Sequence, residues 1–234
     1  MDLKHWRQRG SHWLKQAMPG YCAFCLAPAL AGQGWCLACL KTLPWNRQAC
    51  RQCGEPVAHE TPLCGHCLIE PPAFSATQAG LRYLEPIKEL VHDFKFHASP
   101  RAGTLLAELM LITPPNDLGD ALLSVPMHPA HARTRGFNQS QWLAEKLSRQ
   151  LDVPLVSAKR IKDSPSQRTL NRRQRAANLA GAFVFEATPP AHVLIIDDVV
   201  TTGSTGHALA QAALDAGAER VDIWAAARTP LGKD

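Results

Sequence analysis

Two groups of side chains in this sequence are spaced for chemistry. The first lies between His192 and Gly206, which reads HVLIIDDVVTTGSTG. Asp197 and Asp198 end an apolar run, and Thr201, Thr202, Gly203, Ser204 and Thr205 follow two valines later. A hydroxyl- and glycine-rich loop ahead of a helix offers backbone N–H groups and a positive helix end to a phosphate. The two acids do not suit a plain anion site. They fit a ligand that also carries hydroxyls or a divalent cation. The second group is the eight cysteines, in four CxxC pairs: Cys22 and Cys25, Cys36 and Cys39, Cys50 and Cys53, Cys64 and Cys67. Ten residues separate each pair from the next. Each pair can supply two thiolates, and two pairs complete a tetrahedral zinc site. Neighbouring pairs give Cys22, Cys25, Cys36 and Cys39 for one ion and Cys50, Cys53, Cys64 and Cys67 for a second; an interleaved pairing also satisfies the spacing. Zinc held by four thiolates has no open position, so both ions are expected to be structural. His59 and His66 are spare.

The elements around these groups follow from periodicity. His192 to Ile196 reads as a strand buried on both faces, and His207 to Ala216 as a helix closed by Gly217. Glu70-Pro71-Pro72 breaks the chain. Beyond it, Gln78 to Leu84 reads as a strand, Glu85 to Phe96 as a helix begun at Pro86, and Ala102 to Ile112 as a second helix. Five core strands are expected, at 121–125, 154–157, 183–186, 193–197 and 221–227. The loop from Met127 to Ser140 carries Arg133, Arg135 and the turn Arg135-Gly136-Phe137-Asn138-Gln139-Ser140, ahead of a helix from Gln139 to Leu151. Arginine forks can grip two phosphate oxygens at once, which makes this loop a second expected anion site.

Length and charge narrow the reading. The chain has 234 residues, room for one α/β domain and a smaller module. No run of about eighteen apolar residues is present, so no stable membrane insertion is expected. The first nineteen residues are basic but lack the apolar core of a signal peptide. Trp6, Trp13, Leu14 and Met18 suit either a short amphipathic helix or a loosely docked extension. The expected compartment is therefore the reducing cytoplasm, where a disulfide framework is unfavourable. Net charge is +5, but His128 to Ala176 holds eleven basic against three acidic side chains. That block suits pyrophosphate or nucleic acid as a partner, or a solvated surface. Its part from Lys159 to Arg175 is expected to form a mobile lid.

The strand, acid pair and Thr-Thr-Gly loop resemble the motif that binds phosphoribosyl pyrophosphate (PRPP) in type I phosphoribosyltransferases. That resemblance implies that Asp197 and Asp198 face the ribose hydroxyls and that Thr201 to Thr205 cradle the 5′-phosphate. A narrower resemblance covers residues 20 to 228, to ComF/GntX-type proteins linked to DNA uptake and utilisation. It rests on the cysteine pairs, Lys95-Phe96, the Val125 to Ser140 loop, Gln167, Arg175, Asn178, Gly181-Ala182-Phe183 and Asp197 to Gly203. It implies an α/β chain with a parallel-sheet type I phosphoribosyltransferase fold (residues 71–234), preceded by a double zinc ribbon (residues 20–70) and an N-terminal extension (residues 1–19). Arg133, Arg135, Gly136, Phe137 and Asn138 would hold the pyrophosphate, with magnesium as the accompanying ion. The expected role is PRPP binding with single-stranded DNA handling, alongside partners in the uptake machinery. The alternatives are a phosphoribosyltransferase, with Asp197, Asp198, Arg133 and Arg135 acting on PRPP and a nitrogen nucleophile, or a PRPP sensor without turnover.

Overall fold

The computed structural model describes residues 20–30, 32–59, 61–127, 136–162, 179 and 181–231. The N-terminal extension, Arg133, Arg135 and most of the basic 159–175 segment lie outside the described residues. The chain divides into two compact units, Met1–Trp45 and Asn46–Asp234. The two cysteine tetrads fall on either side of that division. The polar ties of the second tetrad to the larger unit, described below, account for this.

The described residues of the smaller unit form a knuckle with a short helix, α1 (Leu37–Thr42), whose first turn is capped by Cys36. Trp35 and Leu43 supply its buried apolar side chains, and Trp45 Nε1 donates to the Leu40 carbonyl at 2.8 Å. The larger unit begins with a second knuckle, whose helix α2 spans Gly65–Ile69. The rest is built on a five-stranded parallel sheet in the order β1 (Ala76–Arg82), β7 (Arg220–Arg228), β6 (His192–Val200), β2 (Ala121–Ser124), β3 (Leu155–Val156). A parallel sheet needs cover on both faces, and its inner strands read as continuous apolar runs for that reason. Leu122, Leu123, Val193 to Ile196 and Ile223 to Ala227 are all buried. Among the described residues, no helix is long and apolar enough to cross a membrane.

Among the described residues, four longer helices support the sheet: α3 (Ile87–Phe96), α4 (Pro100–Ile112), α5 (Gln139–Leu151) and α6 (Ser204–Asp215). On α3, Ile87, Leu90, Val91 and Phe94 recur at helical spacing and are buried. Helix α4 starts with Ser99 accepting the Ala102 N–H at 3.3 Å and Pro100 in the first turn, where its missing donor costs nothing. Helix α5 ends at Asp152, in the left-handed conformation at φ 56°. The expected helices at 85–96, 102–112 and 139–151 are found within two residues at their ends.

The strands differ more. Residues 183–186 do not join the central sheet. Phe183–Val184 (β5) pairs antiparallel with Lys159–Arg160 (β4) in a separate two-stranded ribbon. The fifth core strand is instead β1, paired with β7 from Ala76↔Asp222 to Arg82↔Arg228. Short apolar runs look alike in sequence, and pairing partner decides between core and satellite.

Helix α4 approaches its neighbours at Gly103, which makes a specific expectation. A Cβ there would stand 2.5 Å from Phe94 Cε2 and 2.8 Å from Trp142 Cζ3, both rigid ring atoms. Gly103→Ala should lower unfolding stability by about 1–2 kcal/mol, because overpacking outweighs the better helix propensity of alanine. Urea unfolding of the two proteins reads this directly.

Candidate PRPP site and paired cysteine centres

The carboxyl ends of β2 and β6 lie side by side, with Ser124 in register with Ile196. Ligands of open parallel sheets bind beyond such strand ends. The loop that contains Arg133 and Arg135 leaves β2, and the threonine-glycine loop leaves β6, so the two expected anion loops start from adjacent strands. Strand β6 continues to Val200, four residues beyond the expected end at Ile196, because Val200 stays in register with Arg228 and its carbonyl accepts the Thr229 N–H at 2.9 Å. The acid pair is thus inside the strand, not after it.

The connecting loop is correspondingly short, Thr201 to Gly203. Gly203 sits at φ 78°, a conformation open to glycine with little strain, and it starts α6 three residues before the expected position. Ser204 and Thr205 therefore form the first helical turn, where N–H groups have no partner within the helix. Thr202 Oγ1 takes over part of the capping: it accepts the Ser204 N–H at 3.4 Å and lies 2.9 Å from the Ser204 hydroxyl. Thr201, Gly203, Ser204, Thr205 and Asp197 line one cavity with Val125 and Ile223.

Successive residues of a strand point to opposite faces, so Asp197 and Asp198 diverge. Asp197 Oδ1 accepts the Ser140 hydroxyl from α5 and the Asp198 N–H, each at 2.9 Å. Asp198 Oδ2 forms an ion pair with Lys95 Nζ of α3 at 2.6 Å, with the carboxylate side chain 8% exposed. Burial opposes the charge on Lys95, but Asp198 more than offsets this and raises the ammonium above its usual value. Burial and the Asp198 charge push the Asp197 carboxyl up to about 7, against the pull of Lys95, the Ser140 hydroxyl and the Asp198 N–H. The two acids therefore differ: one is already neutralised by a lysine, and the other is half-ionised near neutral pH.

On the β2 side, Asn138 caps α5 by accepting the Gln141 N–H at 3.3 Å, and its Nδ2 donates to the Val125 carbonyl at 3.0 Å. The Phe137 ring lies edge-on to Phe94, centroids 5.4 Å apart. Gly136 is exposed at φ 80°. These contacts tie the loop end to helix and strand. In the described start of the basic segment, Lys159 pairs with Glu186 at 2.5 Å, and the Arg160 guanidinium lies 5.9 Å from the Phe183 ring centroid.

The eight thiols gather into two tetrads, Cys22, Cys25, Cys36 and Cys39, and Cys50, Cys53, Cys64 and Cys67. In each, the ligand atoms lie within 4.8 Å of one another. Cys25 and Cys36 sulfurs are 3.7 Å apart, and those of Cys53 and Cys64 are 3.6 Å apart. Four sulfurs around zinc at about 2.3 Å stand about 3.8 Å from one another, so the donor sets fit that ion. The tetrads also repeat each other in backbone. Cys22 and Cys50 each donate N–H to the carbonyl five residues on and accept one from the residue four on. Burial resists ionisation of both thiols, yet surrounding backbone N–H groups outweigh it and bring Cys22 to about 6 and Cys50 to about 7.

Sequence reading missed three groups. Lys95 entered only as part of the Lys95-Phe96 pair of the family resemblance, without a partner, because nothing local marks Asp198 103 residues away. Ser140 sits within the noticed turn but carried no role. Arg228, 1% exposed, had no signal beyond being a charge at the end of an apolar strand.

The raised pKa of Asp197 has a signed consequence. A folded-state value near 7, against about 3.9 unfolded, means stability is fully present below about pH 4 and falls as pH rises to 7. Asp197→Asn should therefore gain on the parent protein across about pH 4 to 7, by at most about 1.4 kcal/mol per pH unit, and level off above it. Urea titrations at a series of pH values measure the difference.

Comparison with known proteins agrees with this architecture. A double zinc ribbon model matches residues 13–68, and a phosphoribosyl transferase domain model matches residues 139–233. The DNA utilization protein YhgH of Escherichia coli strain K12 is 35% identical over 223 residues, covering 91% of this chain and 98% of its own. The Shigella flexneri protein of the same name gives the same values. Competence protein F of Haemophilus influenzae is 31% identical over 215 residues, covering 85% and 92%. With two four-cysteine zinc-ribbon sites, a parallel phosphoribosyltransferase-type sheet and relatives alike from end to end, this chain belongs to the ComF/GntX-type family of competence and DNA utilisation proteins.

Proposed function

We propose that this protein binds PRPP with magnesium and acts in DNA uptake or utilisation in the cytoplasm, through single-stranded DNA and the uptake machinery. The observation that carries the PRPP half is the short Thr201–Gly203 loop feeding the N-terminus of α6 beside Asp197. First-turn N–H groups that lack a partner within the helix, and the hydroxyls beside them, suit the 5′-phosphate. The Asp197 carboxylate suits a ribose hydroxyl, while Asp198 beside it is occupied by its ion pair with Lys95. Arg133, Arg135, Gly136, Phe137 and Asn138 belong to the loop assigned to the pyrophosphate, with Phe137 and Asn138 acting through the packing and capping contacts described above. Magnesium bound with PRPP would neutralise pyrophosphate charge. The DNA half rests on the names of the relatives, DNA utilization protein and competence protein, and on the basic block between His128 and Ala176.

Calorimetric titration with PRPP and magnesium is expected to show one site. Asp197→Asn should weaken it by about tenfold to hundredfold, the equivalent of one or two hydrogen bonds to a charged group. Single-stranded DNA binding should persist in that variant and fall by about 0.7 log units per neutralised phosphate for each tenfold rise in salt. Absence of PRPP binding, or DNA affinity insensitive to salt, would remove the corresponding half.

A second reading, phosphoribosyl transfer to a nitrogen nucleophile, is favoured by one observation. The Asp197 carboxyl, titrating near 7, is poised to accept a proton from an attacking amine at physiological pH. Release of pyrophosphate from PRPP with a nucleobase, ammonia or glutamine, lost in Asp197→Asn, distinguishes transfer from binding alone.

A further inference from the structure

We propose that Arg228 is a positioning residue through which the second cysteine tetrad sets the geometry of the phosphate loop. This rests on the PRPP reading for its functional consequence, though not for its structural one.

Arg228 ends β7 and is 1% exposed. Its Nε donates to the Cys53 carbonyl at 2.9 Å. Its Nη1 donates to the carbonyls of Val200, at 3.2 Å, and of Thr201 and Thr229. Its Nη2 meets Glu55 Oε2 at 2.8 Å. One side of a single rigid guanidinium therefore holds the backbone of a thiolate ligand and its neighbouring turn. The other side holds the last residue of β6 and the first of the phosphate loop. Guanidinium is planar, always charged and carries five donors in fixed directions, so neither side can shift without loosening the other. A carbonyl left unpaired at that depth is costly, which makes the two sides cooperative.

A second link runs through Phe74. Gln52, between the ligands Cys50 and Cys53, donates from Nε2 to the carbonyls of Pro72 and Phe74, at 3.5 and 3.3 Å. The Gln52 carbonyl accepts the Thr77 hydroxyl at 2.7 Å. The Phe74 ring, 1% exposed, lies 3.6 Å from where a Cβ on Gly203 or Gly206 would stand. It thus forms the floor under the phosphate loop and the first turn of α6. The His207 ring, also in that turn, accepts the Ala73 N–H through Nδ1 at 3.0 Å.

A knuckle of this size has little core beyond its thiols, and metal binding supplies its folding free energy. Loss of metal at Cys50, Cys53, Cys64 and Cys67 should therefore reach Thr201 through Arg228 and Phe74. The first tetrad belongs to the other compact unit.

The test uses the full zinc-loaded chain and three variants, with zinc content measured in each. Amide hydrogen exchange is read at residues 201–203, with residues 193–196 of β6 as the internal reference. Cys64→Ser should lose one zinc and speed exchange at 201–203 by about tenfold or more, while 193–196 stays protected. Cys36→Ser should lose one zinc without changing exchange at 201–203. Arg228→Lys keeps the charge and all eight cysteines but not the fork. It should retain two zinc ions, speed exchange at 201–203 and weaken PRPP binding by about tenfold to hundredfold, the equivalent of one or two charge-assisted hydrogen bonds. Unchanged loop exchange in Arg228→Lys would overturn the proposal, and that variant decides the matter even if Cys64→Ser loses its sheet. Equal loop exchange in Cys64→Ser and Cys36→Ser would also overturn it. If the parent protein binds no PRPP, the functional reading fails while the exchange measurements still decide the coupling.

Discussion

Consecutive carboxylates at the carboxyl end of a buried parallel strand repel each other and lose hydration together, and much of the site is arranged around that cost. Strand geometry turns the two acids to opposite faces, so each needs its own compensation. Lys95, delivered by α3, supplies a full counter-charge to Asp198. Asp197 has the more distant pull of Lys95 and hydrogen bonds from Ser140 and the next backbone N–H, and stays short of full ionisation at neutral pH. A buried charge without an adequate partner is the kind of group that a ligand can complete. The packing of α3, α4 and α5 around Phe94, Trp142 and Gly103 is what carries Lys95 and Ser140 to the strand end.

The strand, acid pair, hydroxyl loop and helix between His192 and Asp215 were readable because every signal there is local: a branched apolar run, a polar break, glycine, then alanine-rich periodicity. The helix at Gln139–Leu151 was readable for the same reason, with Asn138 as its cap. Strand ends and partners were not. Val200 is held in the sheet by Arg228 and Thr229, far along the chain, so the acids moved from after the strand to within it. Phe183–Val184 and Ala76–Arg82 exchanged expected roles because two apolar runs of similar character are told apart only by what they pair with. The cysteine pairs announced both tetrads. Nothing in their spacing told that the second is built into the larger unit, since that depends on carbonyls of Gln52 and Cys53, which any residue could offer.

Arg228 shows why a buried charge at the end of a strand is better read as a junction than as a stabilising pair. Its ion pair with Glu55 is nearly dry, and such a pair contributes little net stability against apolar replacements. Its worth lies in specificity of arrangement, because four carbonyls and one carboxylate are fixed about a single plane. The same guanidinium ties the second knuckle to the ends of β6 and β7 within the larger unit.

The duplicate backbone of the two knuckles has one telling difference. Each needs a left-handed residue after its first CxxC pair, and the positions are filled by Leu26 at φ 62° and Gly54 at φ 68°. Leu26 is 72% exposed, so the first copy tolerates a side chain and bears roughly 1 kcal/mol of backbone strain. A Cβ at Gly54 would meet Thr77 Cγ2 at 3.0 Å and approach Arg228 Cδ at 3.7 Å. The copies are therefore not interchangeable parts. Glycine in the second keeps the surface bare where β1 crosses it, whereas leucine in the first leaves an apolar side chain facing outward. One copy of the metal-binding backbone turns a leucine outward, while the other stays bare where Thr77 and Arg228 pack against it.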